Sequence, residues 1–311
     1  MRTLTPSTPG LRARAGFTLI ELLITLVMFS IVGGAIVSVL NGQQRFARAA
    51  SEIGASRTQM QTANLVLPSE LRMLSPTDKD ILEITASSIR MQSTIATAVV
   101  CARAGHVLTI EPVGPLSSYL FVPVAGDSAF IWDELTSSAK DDTWRSAAAG
   151  SPAYAITAVG GGTCADPVAD GLATTATYNI TINSASTPLQ ATVARGAPIR
   201  ITRQVRYGLY QSAADNQWYL GYQDPTFATY QYIAGPFRSN SEGGFRLAYY
   251  TGSDVEITAA NYVAMRDSVA RIEVTSRVKS TAPISMSGAV ATTHYTDSLT
   301  VGVSLRNRVD H

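Results

Sequence analysis

The chain has 311 residues, 46% of them hydrophobic and 15% charged, which excludes a globally disordered chain and allows one large domain or two ordinary ones. Its formal net charge is +1, and the sign comes from Arg2, Arg12 and Arg14 ahead of Gly16; without them 21 basic side chains face 23 acidic ones. A near-neutral, slightly acidic body is a poor electrostatic footprint for a nucleic-acid binder, so no specific nucleic acid is expected as a partner.

From Phe17 to Leu40 the sequence is apolar, with Glu21 its only charged residue. As a helix this run covers about 36 Å, enough to cross a hydrocarbon core of about 30 Å. The arginines before it predict a cytoplasmic N-terminus and a body on the far side of the membrane. A cleavable secretory signal has a shorter apolar core, about 7–15 residues, followed by a small-residue cleavage site that is missing here. A plain anchor explains the apolarity but not Glu21, because an acid inside a span costs about 2–3 kcal/mol unless it is paired or shallow. Ser30, Gly34 and Ser38 are spaced by four, which puts small residues on one helix face; close helix approach and ordinary span composition both account for them.

The string Gly16-Phe17-Thr18-Leu19-Ile20-Glu21-Leu22-Leu23, after a short basic leader, resembles the processing site of type IV prepilins and type II secretion pseudopilins. The resemblance implies that residues 1–16 are a leader removed by a prepilin peptidase between Gly16 and Phe17. It implies that Phe17 becomes the N-methylated first residue and that Glu21 is the family's assembly acid. It also implies a non-enzymatic subunit without a cofactor, anchored in the inner membrane with a periplasmic body. Its partners would be the peptidase and other major and minor pilins or pseudopilins, and it would be able to enter an extracellular pilus. The physical chemistry fits. Cleavage creates an ammonium on Phe17 one helical turn from Glu21, so the two charges can satisfy each other within a chain or between stacked neighbours.

Residues 41–75 form a second pattern. Phe46, Ala49, Ile53, Met60, Ala63, Leu67, Leu71 and Leu74 recur mostly at three or four residues, with charged and polar residues between them. This predicts an amphipathic helix continuous with the span, with Pro68 expected to kink or end it near Leu67. Beyond residue 76 the chain becomes rich in β-branched and aromatic runs punctuated by turn residues. Candidate strands cover 80–86, 98–103, 106–112, 118–124, 129–135, 176–183, 198–210, 217–223 and 243–252, with a hairpin joining 198–210 to 217–223. The clearest are 268–280 and 297–308, whose period-two alternation argues half-buried antiparallel strands. The region from 136 to 198 reads as loops and short strands inserted in the sheet. The whole is an α+β, pilin-like fold: a long N-terminal helix packed on an antiparallel β-sheet domain over residues 76–311. The last two strands, closing on Leu305-Arg306-Asn307-Arg308, are also similar to the ends of large PilW-type minor pilins and J-type pseudopilins.

Candidate chemistry is sparse. His106, His294 and His311 have no zinc-like spacing, and no phosphate loop or nucleophile elbow is present. Asp141 and Asp142 read as a solvated turn, so no metal is expected. Cys101 and Cys164 can form a disulfide if the body is exported, or remain two separate thiols. The aromatics Tyr207, Tyr210, Trp218, Tyr219, Tyr222, Tyr230, Tyr232, Tyr249 and Tyr250 fit core and cross-strand pairs, with a sugar-binding or partner surface as the other reading. The expected function is that of a minor pilin-like structural subunit in type IV pilus assembly. Its rivals are a minor pseudopilin of type II secretion and, from another class, a membrane-anchored adhesin or binding module.

Overall fold

The computed structural model describes residues 17–76, 79–110, 118–119, 121–133, 143–145, 154–164, 177–183, 189, 193, 195–225, 227–284 and 293–305. The chain divides into two units, Met1–Glu52 with Ile284–Thr293, and Ile53–Pro283 with His294–His311. Helix α1, Leu19–Leu71, contributes to both.

In the first unit, every residue from Phe17 to Leu40 except Gly33 is exposed. An apolar helix with no protein neighbour is suited to a hydrocarbon solvent, where backbone groups must be satisfied internally. The hydroxyls within it follow the same rule. Thr25 Oγ1 donates to the Glu21 carbonyl at 3.0 Å, and Ser30 Oγ donates to the Leu26 carbonyl at 2.8 Å, so neither is left without a partner in an apolar environment. Phe46, expected on the buried stripe, is exposed.

In the second unit the helix turns amphipathic, and Met60, Ala63, Leu67 and Leu71, with Leu74 just beyond, are buried in one core. Pro68 does not end the helix at Leu67. The chain continues to Leu71, and Arg72 N–H still donates to the Pro68 carbonyl at 3.2 Å. Proline removes one donor near the C-terminus, but Leu67, Leu71 and Leu74 are each at most 1% exposed. Their burial holds the last turn in place against the proline's cost.

The strands among the described residues are β1 (Ile81–Ile84), β2 (Ser88–Ala104), β3 (Val107–Ile110), β4 (Ser118–Tyr119), β5 (Ser128–Asp133), β6 (Thr143–Arg145), β7 (Tyr154–Gly162) and β8 (Thr177–Ile182), then β9 (Pro198–Gln211), β10 (Trp218–Gln223), β11 (Gln231–Phe237), β12 (Phe245–Tyr250), β13 (Glu256–Ile257), β14 (Arg271–Lys279) and β15 (Thr296–Ser304). Every pairing between them is antiparallel. The sheet runs from β1 through β2, β9, β10 and β11 to β14, which carries β12 on one side and β15 on the other. This part packs on α1: Ile89, Met91, Val205, Leu220, Phe245, Ile272 and Val274 share the core of Leu67 and Leu71. The sequence pointed to strands at 268–280 and 297–308, and these are β14 and β15, paired from Arg271↔Ser304 to Lys279↔Thr296.

A second feature was not legible in the sequence. The pairings from β2 to β3, β8, β7, β5 and β9 lead back to β2. The far ends of the two longest strands thus close into a small barrel. Its interior is filled by Val100, Leu108, Ile110, Ile131, Ile156, Ile180, Ile199 and Ile201, and closure removes the edges a short inserted sheet would expose. A register shift between Thr94 and Ala96 adds one residue to β2. Met91 before the shift and Ala96 after it therefore lie on the same face as Val205 and Ile201 of β9. Between those two, on that same face, Arg203 separates the cores. It donates from Nε and Nη2 to the Asp127 carboxylate at 2.7 and 2.9 Å, and all three charged groups there, Arg203, Asp127 and Asp224, are buried. The bond to Asp127 is the main reason the guanidinium pKa is held above its usual value.

Candidate processing and assembly site

Thr18 and Glu21 form the entry to α1. Thr18 N–H and Thr18 Oγ1 both donate to Glu21 Oε2 at 3.3 Å, and Glu21 N–H donates back to Thr18 Oγ1 at 3.3 Å. This is a reciprocal capping box, in which a hydroxyl and an acid three residues on satisfy orphan donors at a helix start. An acid in the first turn also meets the positive end of the helix dipole. The Thr-x-x-Glu spacing was present in the sequence and signalled the box, but the resemblance drew attention to the acid alone. Phe17 is 84% exposed at the base of this turn. Gly16 and the leader lie outside the described residues.

A family model for the prokaryotic N-terminal methylation motif matches residues 11–37. The chain carries that motif. The match includes Gly16, Phe17 and Glu21 and most of the exposed apolar run of α1, and it is the motif of type IV pilin-like prepilins and pseudopilins. With the one helix among the described residues long and apolar enough to cross a membrane, the motif describes a single-pass, membrane-anchored chain. No curated protein and no solved structure matches the sequence.

The other candidate residues lie in the second unit. A disulfide joins Cys101 of β2 to Cys164, just past β7, with Cα atoms 5.6 Å apart. It ties β2 to the segment that follows β7. His106 and His294 are far apart in sequence and His294 Nδ1 lies 2.8 Å from the Ser280 carbonyl; among the described residues no group of three His, Cys, Asp or Glu could hold a metal. Asp141, Asp142 and His311 lie outside the described residues.

The aromatics divide between the two faces of the sheet. Tyr207, Tyr222 and Tyr249 belong to the helix-side core, and the Tyr222 hydroxyl donates to Asp224 at 2.8 Å. Burial pushes the phenol pKa of all three well up. Tyr210 and Tyr219 are cross-strand partners on the opposite face, where Tyr230 stacks on Tyr210 with centroids 5.3 Å apart. Gly208 and Gly221 face each other beside them, and a Cβ on Gly221 would lie 2.6 Å from the Tyr210 ring and 2.8 Å from Tyr230. The two glycines thus leave the space that these rings occupy.

Proposed function

We propose that the protein is a minor pilin-like structural subunit, cut by prepilin peptidase between Gly16 and Phe17, methylated on Phe17, and taking part in assembly or priming of a type IV pilus. The observation that carries this reading is the methylation motif over residues 11–37, placed at the start of an apolar, exposed helix. In this reading residues 1–16 are the leader, 17–40 the membrane half of the helix, 41–75 its amphipathic half and 76–311 a periplasmic body. PilW-type minor pilins are the assigned class, on the size of the body and the form of its last two strands. The partners are prepilin peptidase, other pilins and the inner membrane, and no catalytic role is assigned.

The mechanism rests on a change of partner for Glu21. Before assembly its carboxylate is satisfied locally by Thr18 at 3.3 Å. These are long hydrogen bonds to neutral donors, and a charged donor makes a shorter and stronger one. The Phe17 ammonium of a docking neighbour would therefore draw the carboxylate away at little cost and fix the register between helices. Mass spectrometry of the chain from envelopes of a strain with active prepilin peptidase tests the processing step. A mature chain starting at methylated Phe17 is expected, and recovery of residues 1–16 still attached would refute it. Co-purification then separates the pilus from its rival: cross-links to secretion components in place of pilins would assign the chain to a type II pseudopilus.

A further inference from the structure

On the sheet face opposite α1, β2, β9 and the loop after β10 border an open cleft of about 320 Å³. Its position follows from register. Arg90 opposes Arg206 across β2 and β9, Gln92 opposes Gln204, and Arg206 opposes Gln223 across β9 and β10. Residues directly opposite share a face, so these planar, polar side chains stand together. Arg90, Gln204, Arg206 and Gln223 line the cleft, and Pro225 and Phe227, the latter 42% exposed, form its apolar wall.

The charge within it is unequal. Arg90 Nε lies 3.4 Å and Arg206 Nη2 2.6 Å from the same carboxylate oxygen of Glu83, so two guanidinium groups share one acid. Asp224 also lines the cleft, but its carboxylate accepts from Tyr222 and lies 4.0 Å from Arg203. Each guanidinium carries five N–H donors, so bonding to Glu83 leaves both with donors to offer. Across the ladder from Gln204, Gln92 is 1% exposed and neither atom of its carboxamide has a partner, an uncommon condition for a buried polar group. Near Arg206, Tyr230 begins the row of Tyr210 and Tyr219 on the same face.

We infer that this cleft binds an acidic monosaccharide unit, with the sugar carboxylate on Arg90 and Arg206, hydroxyls on Gln204 and Gln223, and an apolar ring face against Phe227. Guanidinium groups match a carboxylate with paired, charge-assisted bonds, and carboxamides suit hydroxyls that both donate and accept. The volume lies at the small end for ligand sites, about 300–1,000 Å³, which favours one sugar ring over a peptide. Inorganic phosphate would satisfy the arginines but use neither the carboxamides nor the Phe227 wall. This inference holds whether or not the chain enters a pilus.

The test is calorimetric titration of the full chain in detergent micelles with glucuronic acid, glucose and inorganic phosphate. Saturable binding of glucuronic acid is expected, with glucose and phosphate each weaker by at least about tenfold. Arg90→Gln and Phe227→Ala, both at exposed side chains, are each expected to weaken glucuronic acid binding by about tenfold while circular dichroism stays unchanged. No saturable binding of glucuronic acid, glucose or phosphate binding as tightly, or affinity unaltered in both variants would overturn the assignment.

Discussion

Glu21 has two roles that separate by substitution. As the acid of the Thr18-x-x-Glu21 capping box it needs an acceptor, which a glutamine also supplies; as an assembly acid it needs a charge. Glu21→Gln is therefore expected to leave helix entry, leader removal and membrane abundance near wild type while depleting the chain from sheared filaments. Glu21→Ala should show the same depletion with some fraying at Thr18. Equal filament recovery for wild type and both variants would show that the charge has no docking role. Arg203 makes a second case. Truncating one member of a buried, doubly bonded pair strands the other charge, at a cost of about 3–5 kcal/mol. Arg203→Ala or Asp127→Ala is expected to lower the denaturation midpoint strongly, whereas Arg57→Ala at the solvent-screened pair with Asp297, 3.5 Å apart, should leave it nearly unchanged. Comparable losses at the two sites would contradict this ranking.

Each long element serves two environments. Helix α1 is exposed and apolar at its start and one-sided at its end, so a substitution's effect depends on the half it falls in. Leu67→Ala leaves a void in the helix-side core and should cost about 2–5 kcal/mol. Strands β2 and β9 play the same double part, since their first and last segments belong to different cores. The disulfide lies on the barrel side, and its cysteines are 63 residues apart in sequence. Closing such a loop stabilises by about 4 kcal/mol on the chain-entropy estimate. Cys101→Ser with Cys164→Ser should accordingly loosen β3, β7 and β8, read as faster hydrogen exchange there than in β12 and β14. Uniform acceleration across both groups would mean that the cores open as one.

Taken together, the body stands on two cores joined by continuous strands, and its tyrosines report how firmly it is closed. Burial, followed by the hydrogen bond to Asp215 at 2.5 Å, pushes Tyr219 up to about 12, while burial alone leads for Tyr207 and Tyr249. A phenol whose folded pKa is raised contributes stability that is fully present below the unfolded value, about 10, and lost as pH rises through the folded value. The stability curve should therefore fall between about pH 10 and about pH 12, with buried phenols ionising only as the fold opens. Asp215 works in the other direction: the Tyr219 hydroxyl holds its pKa below the usual carboxylate range, so its share is present at neutral pH and lost in acid. Ultraviolet difference spectra that show all 13 tyrosines ionising together near the unperturbed value would contradict this picture.

The membrane half of the helix, the methylation motif and the β14–β15 pair were legible because each is encoded by neighbours in sequence. An apolar run needs only its own composition, a capping box spans one turn, and period-two alternation shows a half-buried strand directly. β11 was not among the expected strands and β7 fell in a stretch expected to hold loops and short strands; Gly235-Pro236 and Gly160-Gly161-Gly162 favour turns, and pairing to β10 and β8 overrides that preference. The barrel was hidden for a stronger reason. Whether β2 and β9 run on into a second core depends on one extra residue between Thr94 and Ala96 and on partners far along the chain. The cleft was hidden in the same way, since Arg90, Arg206 and Phe227 are scattered in sequence and only strand register brings them together. Local composition thus determined that there is an anchor, a motif and a β-rich body, because those are properties of adjacent residues. Long-range pairing alone decided that the body has two cores and where its polar cleft lies, because the face a strand residue occupies is set by its partner across the ladder.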